Sequence, residues 1–182
     1  MVIMLFIIVL LVIALIAASI LKNIVHGRID RTTVPDLDLK RYMGTWYEIA
    51  RLENRFERGM IAVKAQYRLL DDGTVEVVNS GVCPTGGERK ISVGRARKGS
   101  CPGQFRVSFA GVFSSDYNIM ELGKEYQWAL VGSRSASYLW ILSRTPSMDK
   151  DTLEEIRIKA QERGYDTEQL FMVDQSVNQV LL

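Results

Sequence analysis

Asp38-Leu39-Lys40-Arg41-Tyr42-Met43-Gly44-Thr45-Trp46-Tyr47-Glu48-Ile49-Ala50-Arg51 and, much later, Leu139-Trp140-Ile141-Leu142-Ser143-Arg144-Thr145-Pro146 decide how this chain is read. Gly44-Thr45-Trp46-Tyr47 opens a strand that runs on to Leu52. Outward from it the chain repeats short period-two runs. In Ile61 to Leu69, Val63, Ala65, Tyr67 and Leu69 share one face, and Lys64, Gln66 and Arg68 share the other. Asp71-Asp72-Gly73 is a hairpin signal, and strand resumes from Thr74 to Val78. Ile91 to Arg97, Phe105 to Ala110, Tyr117 to Leu122, Tyr126 to Gly132 and Tyr138 to Leu142 follow. About eight strands with short turns suit a sandwich or an up-and-down barrel. A closed sheet of that size holds one small ligand, whereas a sandwich fills its core; periodicity alone does not separate them.

One helix is predicted near the C-terminus. Pro146-Ser147 opens it, Asp149 and Asp151 enrich its first turn, and Gly164 closes it, with Leu153, Ile156 and Ala160 on one stripe. Tyr138-Leu139-Trp140-Ile141-Leu142 is apolar on both faces. One face therefore points inward and the other lies under the helix.

The two quoted stretches resemble the first and third signatures of the lipocalins, the first through its Gly-x-Trp and the third through its single arginine. More narrowly they are similar to the bacterial lipocalins, with their kin among plant temperature-induced lipocalins and animal apolipoprotein D. Asn54-Arg55-Phe56-Glu57-Arg58-Gly59 matches the first-loop segment of that subgroup. The similarity runs from about Val34 to about Gln175. It implies an all-β fold: an eight-stranded antiparallel barrel of the calycin type with one C-terminal helix outside. Gly44, Trp46, Tyr126 and Arg144 are the signature positions, and the resemblance implies that Arg144 packs over Trp46 to seal one end. Lys124-Glu125-Tyr126 departs from the Thr-Asp-Tyr common in the family, so the hydrogen bonds of that loop are open.

Residues 1–21 carry no charged side chain. At about 1.5 Å per residue such a helix matches a bilayer's hydrocarbon core, and it is read as a transmembrane or signal anchor, with a cleaved signal peptide as the alternative. Residues 22–34 form a tether, and 35–178 the domain. Leu15-Ile16-Ala17-Ala18-Ser19 resembles a lipoprotein box with serine in place of the lipidated cysteine, and serine cannot form the thioether. Lys22, Arg28 and Arg31 after the run favour a cytoplasmic body by the positive-inside rule. Cysteine usage favours the periplasm: Cys83 and Cys101 are read as a disulfide, with two free thiols as the alternative. Beyond residue 31 acidic and basic side chains balance, which argues against nucleic acid.

His26, the only histidine, falls in the tether, so no His-based triad and no Cys/His zinc site can be built in the domain. No metal, cofactor or catalysis is expected. Val63, Ala65, Tyr67, Val77, Phe105, Val107, Phe109, Trp128 and Trp140 are assigned to an inner, ligand-lining face. Glu48, Tyr67 and Trp128 are candidate polar partners, Phe56 a lid, and Arg55 and Arg58 phosphate contacts. The partner expected is a hydrophobic small molecule or lipid, bound by a monomer or homodimer held to the membrane by residues 1–21. The family implies fatty acids or lysophospholipids, in envelope maintenance under stress. An enzyme on a hydrophobic substrate and a filled, ligand-free barrel are the rivals.

Overall fold

The computed structural model describes residues 29–83, 85–109 and 113–179. A single helical turn, α1 (Leu39–Tyr42), leads into β1 (Gly44–Leu52), β2 (Ile61–Leu69), β3 (Val75–Val82) and β4 (Arg89–Lys98). β5 (Gln104–Phe109), β6 (Phe113–Leu122), β7 (Trp128–Gly132) and β8 (Leu139–Ser143) follow. Helix α2 (Lys150–Glu162), a 3-10 turn, β9 (Leu170–Met172) and α3 (Ser176–Gln179) complete the chain. Each of the first seven strands pairs antiparallel with the next, and β1 pairs with both β2 and β8. The sheet closes on itself, which decides between sandwich and barrel. The apolar span expected over residues 1–21 and His26 lie outside the described residues. Among the described residues no helix is long and apolar enough to cross a membrane.

Strand β1 has three partners. Gly44 to Tyr47 face β2, Tyr47 to Arg51 face β8, and Ala50 to Leu52 face β9. β2 therefore leaves β1 halfway, and the C-terminal segment fills the seam. Gln175 Nε2 donates to Glu48 O and Val63 O, both at 2.7 Å. Ala62, at φ 52°, turns its N–H to Asp174 O at 2.7 Å. The period-two pattern gave no sign of β9, a strand of three residues.

At the closed end Gly44 sits at φ 95°, the left-handed region that glycine enters without a Cβ penalty. A side chain there would also meet Arg144 Nη1 at 3.4 Å. These two constraints account for the Gly of Gly-x-Trp. Outside the barrel, Asp149 caps α2 by accepting from Thr152 N at 2.8 Å, and Ile156 and Ala160 are fully buried against β1, β7 and β8. Leu139 and Ile141 face this helix while Leu142 and Trp140 face the barrel interior, as the doubly apolar strand requires.

Two expectations need correction. The tether expected over 22–34 is docked from Ile29 onward: Asp30 N donates to Arg163 O (2.9 Å), Arg31 Nε to Ser133 O (2.9 Å) and Val34 N to Ile119 O (3.0 Å). Cys83 and Cys101 are both free. They stand at opposite ends of β4, whose 10 residues at about 3.3 Å each hold them far beyond the roughly 7 Å that a disulfide spans. Thiol titration of denatured, unreduced protein is expected to count two thiols.

Candidate ligand-binding cup

The inner face encloses a cavity of about 130 Å³. Glu48, Val63, Ala65, Tyr67, Val77, Phe105, Val107, Phe109 and Trp140 line it, joined by Tyr42, Glu57, Val75, Ala96, Tyr117 and Leu142. Burying a ligand methylene against such a wall yields about 0.8 kcal/mol.

Trp128 is not part of the wall. It packs under α2 with Ile49, Leu130 and Ile156, and the small Ala129 and Val131 of the same strand face inward instead. β7 is buried on both faces, so apolarity alone could not set its register. Trp128→Ala is expected to cost about 3–5 kcal/mol of stability while leaving ligand affinity unaltered, as chemical denaturation and ligand titration would show. Phe56 also lies off the wall. It is 58% exposed in the loop after β1, with the Arg55 guanidinium 4.6 Å from its ring centre.

The floor is a layer of phenols. Tyr117 Oη is 2.7 Å from Tyr42 Oη and 3.0 Å from Tyr67 Oη, and the Tyr42 and Tyr67 rings stack at 5.8 Å. Burial pushes all three hydroxyls well above the ordinary phenol range, so the floor stays uncharged. Beneath it Trp46 is fully buried and donates from Nε1 to Tyr42 O at 2.8 Å. The Arg144 guanidinium lies 3.8 Å from the Trp46 ring centre. It donates to Arg41 O (2.6 Å), Met43 O (2.9 Å), Thr45 O (3.0 Å) and Tyr126 O (3.2 Å). The loop of Lys124-Glu125-Tyr126 is tied down without the usual family residues. Glu125 pairs with Arg41 at 3.2 Å, and Tyr126 Oη accepts from Asp38 N at 2.8 Å.

The polar side of the cup centres on a residue that sequence reasoning missed. A register shift between Glu48 and Ala50 lets β1 turn both Glu48 and Arg51 inward, where strict alternation would separate them. Arg51 is fully buried and donates to Glu48 Oε1 at 2.8 Å and Glu53 Oε1 at 2.6 Å. Glu57 Oε2 accepts from Asn54 Nδ2 (2.6 Å) and Trp140 Nε1 (3.0 Å). Burial, and then the Glu57 charge, raise the Glu48 carboxyl well above the ordinary carboxylate value despite Arg51. The signal available was Glu48 itself: an inward carboxyl needs a partner, and Arg51 stands in the same motif.

A closed barrel with an apolar bore, a sealed floor and an open rim defines a container for one small molecule. The lipocalin-like domain family matches residues 37–175, and the chain belongs to it. Outer membrane lipoprotein Blc of Vibrio cholerae is 41% identical over 165 residues, covering 88% of this chain and 96% of that protein. Temperature-induced lipocalin-1 of Arabidopsis thaliana is 37% identical over 158 residues, covering 81% and 84%. Insecticyanin from the tobacco hornworm Manduca sexta superposes with a TM-score of 0.66 over 80% of this chain and 84% of that one, at 21% identity, a likeness of fold.

Proposed function

We propose that this chain is a membrane-tethered carrier of single-chain amphiphiles, fatty acids or lysophospholipids, in a bacterial cell envelope, where it serves membrane maintenance under stress. The observation that carries this reading is the cup: apolar along its bore, closed by Trp46 and Arg144 below, and unfilled above the tyrosine layer. The name of the Vibrio cholerae relative places that protein at the outer membrane, which supports the envelope setting.

Anchoring follows a different route from a lipoprotein's. Cys83 and Cys101 are the only cysteines and both belong to the barrel, so the charge-free run of residues 1–21 is left to hold the membrane. Ile29 shares a groove with Leu52, Glu53, Ala136 and Ser137, all from the open end. The chain thus joins its tether on the rim side, which keeps the mouth near a lipid source and raises effective ligand concentration.

Native mass spectrometry of the full-length chain, purified from its host without added lipid, is the test. One acyl species per barrel is expected. A chain that is empty, and stays empty when offered amphiphiles, would return the barrel to a scaffolding role.

A further inference from the structure

The outer face of β4 carries a pattern that the cup does not explain. Ala96, Phe105 and Val107 line the cavity, so the residues that alternate with them point away from it. Along β4 these are Arg89, Ile91, Val93, Arg95 and Arg97. Ile91 is 63% exposed and Val93 58%. Val78 of β3 stands directly opposite Val93 and extends the apolar strip. Two uncovered aliphatic side chains thus sit between arginines on one strand.

The charge beside them is unbalanced. Arg97 faces Arg106 directly across the β4–β5 ladder, where like charges oppose each other. The acids nearby are engaged elsewhere: Asp72 pairs with Arg95 at 3.0 Å, Glu76 with Arg68 at 2.9 Å, and Asp116 lies 3.8 Å from Arg134. Among the described residues Arg89 and Arg97 form no ion pair, and Arg106 gives its Nε hydrogen to the neutral Ser114 hydroxyl at 2.7 Å. Val93, Arg95, Arg97, Arg106 and Ser108 share one groove in this wall. Acids and bases balance over the chain beyond residue 31, so the excess is local to this face.

We propose that the outer face of β3 to β5 docks on an anionic phospholipid leaflet, with Ile91 and Val93 entering the headgroup layer and Arg89, Arg97 and Arg106 meeting lipid phosphates. A soluble polyanion would satisfy the arginines and leave the aliphatic pair in water, and a neutral apolar partner would do the reverse. The interface of a charged bilayer offers both chemistries in adjacent layers. Ile91 and Val93 occupy the open-end half of β4, and the pair Arg97 and Arg106 lies toward the closed end. Docking therefore leans the rim toward the lipid. The proposal needs the membrane setting of the carrier reading but not its cargo.

The test places a nitroxide on the full-length chain at Ser108→Cys, opposite Arg95, in a Cys83→Ser, Cys101→Ser background. A second protein carries the label at Glu155→Cys on α2, as the reference position. Each is offered excess nanodiscs of phosphatidylcholine, alone or mixed with phosphatidylglycerol, and accessibility to oxygen and to a nickel chelate reads the depth of the label. On anionic discs the Ser108 label is expected to move from water into the headgroup region. On neutral discs it should stay in water, as the Glu155 label should on both. Added salt, or Arg97→Glu with Arg106→Glu, should abolish the shift, and Ile91→Ser with Val93→Ser should weaken it, all at an unchanged melting temperature. A Ser108 label that stays in water on anionic discs overturns the docking, and so does an equal shift on both lipids. Binding of polyglutamate in the first case would give the face to an acidic protein instead. Native mass spectrometry of the same variants reads the cargo separately, so the carrier reading stands or falls on its own.

Discussion

Replacing Arg51 with methionine is expected to remove about 3–5 kcal/mol of stability near neutral pH, because the carboxyl of Glu48 is left buried without its counter-charge. For a domain of this size that lowers the melting temperature by roughly 10 °C. The loss should shrink in acid, and the sign follows from Glu48. Its carboxyl is raised by burial and by Glu57, so the folded chain holds that proton more tightly than the unfolded chain. The contribution of this group is therefore most favourable below the ordinary carboxylate value. It is lost progressively as pH climbs through the raised one. Without Arg51 the carboxyl rises further and the decline extends to higher pH. Glu48→Gln should flatten that limb in both backgrounds. The depressed carboxyls of Asp30 and Asp149 act in the opposite sense and remain in all four proteins, so they cancel in the comparison. Urea denaturation across a pH series reads the whole set.

Arg144→Ala should cost about 3 kcal/mol. The stack on Trp46 contributes about 0.5–2 kcal/mol, and the remainder comes from four carbonyls that lose their donor where water only partly replaces it. Lysine should rescue little, since one ammonium cannot span the fan of acceptors that a planar guanidinium reaches. Ligand affinity should stay near that of the parent, because the Tyr42, Tyr67 and Tyr117 layer lies between Arg144 and the cup. A melting curve paired with a ligand titration separates the two: a lowered transition with unchanged affinity is the expected result, and a parallel loss of affinity would tie this end of the barrel to the cargo.

What the sequence made legible follows from where patterning carries information. Strands with one wet face, such as β2 and β5, announce their inner residues by alternation, and Ala65, Tyr67, Phe105 and Val107 all line the cavity. β7 has no wet face, so alternation could not fix its register, and Trp128, read as inward, packs under the helix outside. The shift at Ile49 broke the period that would have to be intact for Arg51 to be placed beside Glu48. The disulfide failed on topology: two residues on either side of a single strand are as far apart as that strand is long, a fact available without coordinates. β9 was invisible because three residues carry no period, and its place is set by the gap β2 leaves.

The seam itself has a kinetic consequence. Gln175 holds the main chains of Glu48 and Val63 across sequence separations of 127 and 112 residues, and β9 completes the first strand from a similar distance. A chain emerging from a ribosome or a secretion channel amino end first cannot finish this circle until its last elements arrive. Pairings this distant slow folding, and until they form the unpaired strand margins invite association with other chains. A holdase that protects the nascent barrel should therefore raise its yield more than it would for a helical bundle of equal length.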